Sequence, residues 1–478
     1  MSIISEFYKP APHKPIIAEE RQDGEYKKMR LKVFAGAFLG YSGYYLVRSN
    51  MNLAKPFLLD AGFTPSQIGF AATGITIAYG FSKFIMGNVS DRSDARKFLT
   101  TGLVLSAILM CCAGLLTMSP WFNQAPSIGN MWPIIVLFCV LLMNGWVQGM
   151  GWPPCGRVMS HWFSAKERGT KMALWNVSHN TGQVFMSLLA GLSLMVIAYL
   201  PSIAGYNFQL GLQFIIPATG AFLIAIIIWQ LVRDTPQSCG LPPIELHSKD
   251  KTVNYSASHE KEFSAREIFV DYVLKNKLLW FIAIANAFVY LIRYGVGGWI
   301  LTYLKKTIGP DGAGLVEQSV IQFAYGGFEA AAILGTLLCG VLSDTLFKGR
   351  RSTTLLFYMV ATFIAILIAY GVFISGTQHV WMYFASILFI GFLIYGPVML
   401  IGVYAIDLVP KKAAGTAAGF TGVFGYLIGA VFADFGLGMI IQNYGYGMYF
   451  YVLMGAALLA VGLTAMTMIL ESRKRALA

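Results

Sequence analysis

The sequence predicts an all-α polytopic membrane protein with twelve transmembrane helices in two pseudo-symmetric bundles of six. Hydrophobic residues make up 56% of its 478 residues and charged residues only 12%, whereas a soluble domain carries about 25% charged residues. Apolar runs of about 18 residues or more recur along the chain, and runs of that length are candidate membrane spans. Short polar motifs also recur between the two halves of the chain, which indicates an internal repeat.

Twelve apolar segments are predicted to cross the bilayer. They lie at 33–54, 65–89, 98–118, 133–155, 171–200, 209–232, 278–304, 317–343, 353–375, 380–409, 413–440 and 446–470. Proline, serine and mixed charge between the sixth and seventh spans predict a connector. The predicted domains are a cytoplasmic segment 1–32, an N-terminal bundle 33–232, a cytoplasmic connector 233–277, a C-terminal bundle 278–470 and a cytoplasmic tail 471–478.

Basic residues cluster in the loops on one side of the predicted bundles. They precede the first span and follow the second, fourth, eighth, tenth and twelfth spans. By the positive-inside rule, these loops, both termini and the connector lie in the cytoplasm. The net charge of +12 is therefore spread between apolar runs rather than along one polar face, which argues against a nucleic-acid partner.

The repeat is carried by three pairs of motifs at nearly constant spacing. "YLVR" at 45–48 returns as "YLIR" 245 residues later, and "GNVSDRSDARK" after the second span returns as "GVLSDTLFKGRR" after the eighth. "RGT" after the fourth span is matched by "AGT" after the tenth. Two related halves around a central path are common in secondary transporters.

Five ionisable residues fall inside predicted spans, where a charge costs about 2.5–3.5 kcal/mol on insertion scales. Arg48, Lys83 and Arg293 are basic, His179 becomes positively charged when it is protonated, and Glu329 is acidic. Such residues usually face a cavity and contribute to function. Because cations dominate this interior, we expect its ligand to be an anion.

Each of the four basic residues has aromatic or polar side chains on its own helical face. Tyr41, Tyr45 and Arg48 follow the spacing i, i+4 and i+7. The others have neighbours three or four positions away: Tyr79 for Lys83, Trp175 and Asn176 for His179, and Tyr290 for Arg293. An arginine fork makes two parallel hydrogen bonds to a phosphate. The alternatives are snorkelling of the basic residues and an interfacial aromatic belt.

Several longer motifs resemble one family. "GYYLVRSN", "YGFSKFIMG", "GMGWPPCGR", "WNVSHN" and "DTPQSCGLPP", with the G-x-x-x-D loops after spans two and eight, resemble the organophosphate:phosphate antiporters of the major facilitator superfamily. The resemblance covers nearly the whole chain. It implies the major facilitator fold in a bacterial inner membrane, and import of an organic phosphate such as glycerol 3-phosphate in exchange for inorganic phosphate.

The resemblance also implies roles for individual residues. Arg48 and Arg293 match the phosphate-binding pair of the family, and His179 matches its substrate-binding histidine. The positions that match the lining of the central cavity are Tyr41, Tyr45, Tyr79, Lys83, Trp146, Trp175, Asn176, Tyr290, Tyr395 and Tyr426.

A second group of residues is expected to act on conformation. In the G-x-x-x-D loops, Asp91, Arg92, Arg96 and Lys97, with their counterparts Asp344, Arg350 and Arg351, are candidates for ion pairs that hold one conformation closed. The alternative is that these charges only set the membrane orientation. Glu329 is expected to pair with a cavity cation when substrate is absent.

At two positions the sequence departs from the family pattern. Some relatives carry a lysine directly after the first arginine and an acid in span seven, where this chain has Ser49 and Gly298. Both partners of a possible ion pair are therefore absent together. The departure weakens the case for any switch built on that pair and for glycerol 3-phosphate as the particular substrate.

Other functions remain open at this stage. The same family includes hexose-phosphate and phosphoglycerate antiporters, and a non-transporting sensor of phosphate esters is a further alternative. A proton-driven drug exporter would be expected to carry interior acids, and the sequence has no nucleotide-binding, metalloprotease or nucleophile-elbow motif. We therefore expect no enzyme activity, no cofactor, and a monomer whose partners are the lipid bilayer, inorganic phosphate and a small organic phosphate.

Overall fold

The structure, a computed structural model, describes residues 6–197, 199, 203–247, 266–409 and 414–476. The long helices of the N-terminal half are α1 (Glu19–Leu46), α2 (Asn50–Asp60), α3 (Pro65–Asp91), α4 (Ala95–Met118), α5 (Trp132–Gln148), α6 (Trp152–Trp162), α7 (Ala165–Asn176), α8 (Ser178–Ile197) and α9 (Phe208–Leu231). Those of the C-terminal half are α10 (Lys277–Ile308), α11 (Gln318–Asp344), α12 (Arg351–Ser375), α13 (Val380–Asp407), α14 (Ala414–Val423) and α15 (Leu437–Ala476). Two π-helical segments, Phe424–Ala430 and Phe432–Gly436, lead from α14 to α15.

Eight helical stretches in the described residues are long and apolar enough to cross a membrane. Together they contain nine of the predicted spans, because the stretch Thr416–Arg473 covers the last two. Gly445 separates those two spans, and its φ of 73° lies in the left-handed region that favours glycine. The first, second and fifth spans fall outside the eight stretches. They carry Arg48, Lys83 and His179, and the first and fifth are each divided between two helices.

Side-chain caps fix several of the helix ends between spans. Thr64 and Gln67 form a reciprocal capping box at the start of α3, and Pro65 occupies the first helical position. Asp94 caps α4 by accepting hydrogen bonds from the backbone N–H groups of Arg96 and Lys97. These caps satisfy N–H groups that have no partner within the helix at its start.

The two halves meet along pairs of helices that occupy corresponding places in the repeat. Helix α8 of the N-terminal half packs against α11, and α3 packs against the π-helical segments and α15. At the first interface Ser187 Oγ donates to the carbonyl of Gln322 at 2.6 Å and accepts from the N–H of Gly326 at 2.9 Å. At the second, Gly69 lies so close to the backbone of Asp434 that a Cβ would be 2.3 Å from its carbonyl oxygen.

Polar bridges join the halves at the end of the bundles where α2 and α10 terminate. Lys305 near the end of α10 pairs with Asp60 at the end of α2. The backbone N–H of Ser66 donates to Gln442 Oε1 of α15 at 3.2 Å. The structure therefore holds the two halves together at this end of the cavity.

Candidate functional site

The first span is interrupted next to Arg48. Helix α1 ends at Leu46 and α2 begins at Asn50, although the spacing of the sequence predicts one continuous helix. Side chains of α5 satisfy the carbonyls freed by the break: Asn144 Nδ2 donates to the Val47 carbonyl at 2.8 Å, and Gln148 Nε2 to that of Tyr44 at 3.2 Å. Irregular backbone at membrane depth is tolerated where protein groups satisfy it in this way.

Arg48 lies in an aromatic pocket at this break. Its residue is 9% exposed, and its guanidinium carbon lies 3.6 Å from the ring centroid of Tyr79 and 5.1 Å from that of Tyr45. Nη1 donates to the Tyr45 hydroxyl at 3.4 Å. Contact with ring faces stabilises the cation without neutralising it, so Arg48 keeps its charge for a ligand.

Arg293 of α10 has the same kind of environment in the other half. It is 7% exposed, and its guanidinium carbon lies 4.6 Å from the ring of Tyr395, 5.0 Å from Tyr294 and 5.7 Å from Tyr290. The sequence repeat therefore corresponds to a repeated environment, because each half has one buried arginine packed against aromatic rings.

Aromatic side chains connect the two arginines. Tyr45 beside Arg48 contacts His179 with ring centroids 5.4 Å apart, and His179 is stacked with Tyr395 at 6.3 Å. His179 Nδ1 contacts the carbonyl of Asn176. A carbonyl only accepts, so Nδ1 carries the proton, and Nε2 is an acceptor when the ring is neutral.

A second group of rings closes the same space from the side of α3 and the π-helical segment. The ring of Tyr426 contacts Tyr79 and Tyr290 with centroid separations of 5.1 Å each, and Arg48 lies 5.8 Å from its centroid. Two of the rings beside Arg293, those of Tyr290 and Tyr294, both contact the ring of Tyr426. The two arginines therefore face one cluster built from both halves.

The remaining predicted cavity residues of the N-terminal half extend this cluster along α1, α3 and α7. Tyr41 lies against Trp175 with centroids 4.7 Å apart, and the indole Nε1 of Trp175 donates to the Ala37 carbonyl at 3.1 Å. Lys83 Nζ is 5.5 Å from the ring of Trp152, a residue that the sequence does not single out.

Glu329 is the carboxylate at this site, and the structure holds it with two hydrogen bonds. It is 1% exposed, accepts from the Tyr395 hydroxyl at 2.5 Å and from Asn180 Nδ2 of α8 at 2.7 Å. These donors come from both halves, so Glu329 links α8 to the C-terminal half. Its carboxyl group is held by two neutral donors rather than by a direct ion pair with Arg293.

Comparison with known proteins agrees with this arrangement of helices and charges. A sequence model of the Major Facilitator Superfamily matches residues 37–433. The chain belongs to the Major Facilitator Superfamily. The predicted fold class, two bundles of six transmembrane helices, is confirmed.

Curated relatives place the chain among transporters of organic phosphates within the Major Facilitator Superfamily. Glycerol-3-phosphate transporters of Bacillus subtilis and Haemophilus influenzae are each 45% identical to it, over 96% and 98% of this chain and 97% of either transporter. A hexose-6-phosphate:phosphate antiporter of Salmonella typhimurium is 32% identical over 94% of this chain and 93% of its own. The resemblance to organophosphate:phosphate antiporters is confirmed, as is the prediction of a transporter rather than an enzyme.

Solved structures support the same fold at lower sequence identity. A bacterial homologue of the human lysosomal transporter Spinster, inward-facing and occupied, matches with a TM-score of 0.65 and 16% identity, covering 93% of this chain and 97% of its own. The nucleoside transporter NupG matches with a TM-score of 0.64 and 15% identity, covering 92% and 98%. At these identities the likeness concerns the fold alone.

Trp146, one of the predicted cavity residues, has a partly exposed side chain. Trp146 is 41% exposed, and its backbone carbonyl rather than its ring contacts the hydroxyl of Ser82. Helix α5 ends two residues later, at Gln148.

The G-x-x-x-D loops contain one well-formed ion-pair network. Arg351 pairs with Asp344 at 2.6 Å and with Asp407 at 3.3 Å. The sequence names both Arg350 and Arg351 as candidates for such pairs, and Arg350 precedes the first turn of α12. In the first half Arg92 is exposed at the end of α3, and the side chain of Asp91 lies outside what the structure describes.

Sequence reasoning missed a set of polar residues that share helical faces with the predicted ones. Each lies four positions from a residue named above, which is the spacing of one helical face. The set is Asn52 after Arg48, Gln183 after His179, Tyr294 after Tyr290, and Tyr325 before Glu329. Continuing each face by one turn would have found them.

A buried ion pair between the halves was also missed. Lys55 Nζ of α2 lies 3.4 Å from Asp434 Oδ1, with exposed side-chain fractions of 0% and 7%. Asp434 Oδ2 accepts from Thr76 at 3.0 Å, and Lys55 Nζ lies 4.3 Å from the ring of Trp299. A Cβ on Gly298 would be 3.0 Å from Lys55 Nζ. The ammonium group of Lys55 therefore lies beside Gly298, the position at which this chain lacks an acid. The carboxylate that pairs with Lys55 belongs to Asp434, in another span.

Metal chemistry has no support at this site. Within the ranges described above, no three His, Cys, Asp or Glu side chains are arranged to hold a metal ion. The cationic and aromatic groups suit an anionic organic ligand instead.

Proposed function

We propose that this chain is a secondary active transporter that imports glycerol 3-phosphate into a bacterial cell in exchange for inorganic phosphate. The observation that carries the proposal is the pair of buried arginines, Arg48 and Arg293, one in each half, on a shared cluster of aromatic rings. Two relatives that are 45% identical over nearly the full length bear the name glycerol-3-phosphate transporter.

The phosphate group is the part of the substrate that the two arginines bind. A guanidinium fork matches two phosphate oxygens, stays charged at every working pH and tolerates partial burial better than an ammonium group. The charge of Glu329 is already held by Tyr395 and Asn180. Arg48 and Arg293 are therefore free of direct carboxylate partners in the described residues and available to an incoming dianion.

The same charges explain exchange rather than net transport. In an empty site, two cations in a poorly solvated space repel one another and oppose the approach of the halves. A bound phosphate relieves that repulsion, so the halves change conformation around a loaded site. Inorganic phosphate and a phosphate ester both supply the required charge, and each outward passage of one allows inward passage of the other.

Other side chains of the cluster shape the site around the phosphate. Nε2 of His179 is positioned to accept a hydrogen bond from a substrate hydroxyl or a protonated phosphate oxygen. Lys83 adds positive charge toward the end of α3. The remaining proposed contacts are Tyr41, Tyr45, Tyr79, Trp175, Asn176, Tyr290, Tyr395 and Tyr426.

We further propose that both termini and the connector 233–277 lie in the cytoplasm and that the monomer is the working unit. The orientation rests on the basic residues of the loops. The monomer rests on the site itself, because a single chain supplies both arginines. The bundles 33–232 and 278–470 are then the bodies that move, with the bridges at Asp60 and Asp434 holding one end closed.

Two alternatives have support among the relatives. Proteins named as probable hexose phosphate transport proteins are 35–36% identical, and a Salmonella phosphoglycerate transporter and a membrane sensor protein are each 32% identical. In the first alternative the chain transports a phosphate ester with a different organic group. In the second it binds a phosphate ester without transporting it.

The test is counterflow in liposomes that contain the purified protein and are loaded with unlabelled phosphate. Labelled glycerol 3-phosphate, glucose 6-phosphate and 3-phosphoglycerate are offered outside in parallel. We expect glycerol 3-phosphate to enter fastest, and only when the vesicles contain phosphate. Faster entry of another ester would identify that ester as the substrate instead of glycerol 3-phosphate. Binding of esters without any exchange would indicate a sensor.

A further inference from the structure

Beside Arg293 lies a cavity of about 20 Å³ whose walls are polar but mostly uncharged. Ser49 and Asn52 border it at the break of the first span, Gln183 borders it from α8, and Tyr325 from α11. A cavity of about 10–15 Å³ on this measure holds one water molecule. The cavity therefore has room for one small group, such as a hydroxyl, next to a bound phosphate.

The wall of this cavity is a hydrogen-bonded network that spans both halves. Ser49 Oγ and the hydroxyl of Tyr325 both donate to Gln183 Oε1, at 3.1 and 2.6 Å. Asn52 Nδ2 donates to the Tyr325 hydroxyl at 3.3 Å. Because Tyr325 belongs to the C-terminal half, an occupant of the cavity contacts both bodies at once.

One donor of the network has no acceptor within the protein. Gln183 is 3% exposed, and its Nε2 is buried without a hydrogen-bond partner among the described residues. Ser49 and Tyr325 both donate to Oε1 of Gln183, so Nε2 lies on the opposite side of the amide group, away from these two hydroxyls. A buried N–H group without a partner costs free energy, and a ligand oxygen in the cavity would supply the missing acceptor.

The cavity exists because two residues at its edge are small. Ser49 and Gly298 stand where some relatives carry a lysine and an acid, and both line the cavity here. A Cβ on Gly298 would approach Asn52 Oδ1 to 3.7 Å as well as Lys55 Nζ. Larger side chains at these positions would fill the space beside Gln183.

The carboxylate of Glu329 also lines the cavity and determines which charges fit. It is buried and already accepts two hydrogen bonds. In its ionised form, Glu329 would repel a second anionic group on the substrate, such as the carboxylate of a phosphoglycerate, at low dielectric. A neutral group bearing hydroxyls meets no such penalty.

We propose that this cavity is the subsite for one hydroxyl of the uncharged tail of the organic phosphate, with Gln183 Nε2 donating a hydrogen bond to that hydroxyl. The inference rests on the proposed function, because it assigns the phosphate to Arg48 and Arg293. Gln183 and Tyr325 then determine affinity for the ester, and Glu329 rejects esters with a second negative charge. Inorganic phosphate has no tail and does not use the subsite.

The test compares two exchange reactions in the same proteoliposomes: phosphate against phosphate, and phosphate against glycerol 3-phosphate. For Gln183→Met we expect the half-saturating glycerol 3-phosphate concentration to rise about ten-fold and that of phosphate to change by less than about two-fold. Tyr325→Phe keeps the donor Nε2 and should raise the glycerol 3-phosphate value less than Gln183→Met does. Gln213→Met, which changes a buried glutamine of α9 outside the cavity, is the matched control.

The outcomes separate this inference from the proposed function. If the unchanged protein exchanges no organic phosphate, the proposed function is wrong. If it does, but Gln183→Met weakens both exchanges equally or neither, the subsite assignment is wrong. Glu329→Gln provides a second test, in which 3-phosphoglycerate and glycerol 3-phosphate each inhibit phosphate–phosphate exchange. We expect the substitution to make inhibition by 3-phosphoglycerate stronger relative to inhibition by glycerol 3-phosphate. Equal inhibition before and after that change would contradict the role of the carboxylate.

Discussion

Lys55 and Asp434 form a buried ion pair between the two halves of the protein, although they are 379 residues apart in sequence. The pair lies against Gly298, with Thr76 and Trp299 completing its surroundings. Attraction between buried charges is offset by loss of hydration, so such a pair contributes more to choosing a partner than to overall stability. It joins the halves in the arrangement seen here and must separate when they move apart.

Removing one partner of this pair should be far more damaging than removing both. Lys55→Met or Asp434→Asn leaves one charge or acceptor buried without its partner, and we expect either to destabilise the protein by about 3–5 kcal/mol. The double variant Lys55→Met with Asp434→Asn should recover most of that loss. Thermal unfolding in detergent measures both effects, and strictly additive losses would show that the two residues do not interact.

Gly298→Asp should partly rescue Asp434→Asn. The new carboxylate would extend from a Cβ that is 3.0 Å from Lys55 Nζ, and the lysine end has the flexibility to move aside and pair with it. We expect phosphate exchange by Asp434→Asn to increase when Gly298→Asp is added. Gly298→Ala in the same background is the control, since it adds the Cβ without the charge. Rescue by alanine as well would attribute the effect to packing.

Ser49→Lys should reduce transport of glycerol 3-phosphate more than that of phosphate. The lysine side chain would enter the cavity beside Gln183 and replace the hydrogen bond from Ser49 Oγ. Adding Gly298→Asp supplies the acid found in some relatives and should restore part of the rate if the new pair forms. Initial rates of both exchanges in proteoliposomes decide this, and an unchanged glycerol 3-phosphate rate in Ser49→Lys alone would contradict the prediction.

Acid should weaken a contact between α1 and the start of α7. Partial burial raises the pKa of Glu167, but the hydrogen bond and charge of Arg30 lower it by more, so its pKa lies below the ordinary value. The stabilisation is therefore complete above the ordinary glutamate pKa of about 4.3 and is lost as the pH falls through the lower value in the folded protein.

Thermal unfolding of Arg30→Gln measures this contact. We expect the variant to melt below the unchanged protein at pH 7, and the difference to shrink as the pH falls below about 4. Lys28→Gln is the control, because Lys28 forms an exposed pair with Glu25 at 3.8 Å and should have little effect. A difference that does not depend on pH would contradict the role of the Glu167 charge.

Helical periodicity and the cost of burying charge were sufficient to find the centre of the site. Arg48, His179 and Arg293 stood out because a membrane span rarely contains such residues without a reason. The repeat of "YLVR" as "YLIR" correctly indicated one arginine in each half. These properties are local in sequence and therefore visible without a structure.

Contacts that depend on how helices distant in sequence pack could not be predicted. The break at Val47 is satisfied by Asn144 of α5, and no local pattern reveals that distant partner. The same holds for the bond between Tyr325 and Gln183. In the loop after α11, adjacent arginines made the sequence ambiguous, and only the geometry of α12 shows that Arg351 contacts Asp344.

The central claim is that Arg48 and Arg293 bind the phosphate together through their planar forks. Its most direct test is the half-saturating phosphate concentration for phosphate–phosphate exchange by Arg48→Lys and Arg293→Lys, because this reaction involves the phosphate group alone. We predict an increase of at least about ten-fold in each variant, since lysine keeps the charge and loses the bidentate geometry. Arg96→Lys, at the start of α4, should leave the value unchanged. Full phosphate affinity in both lysine variants would contradict the account.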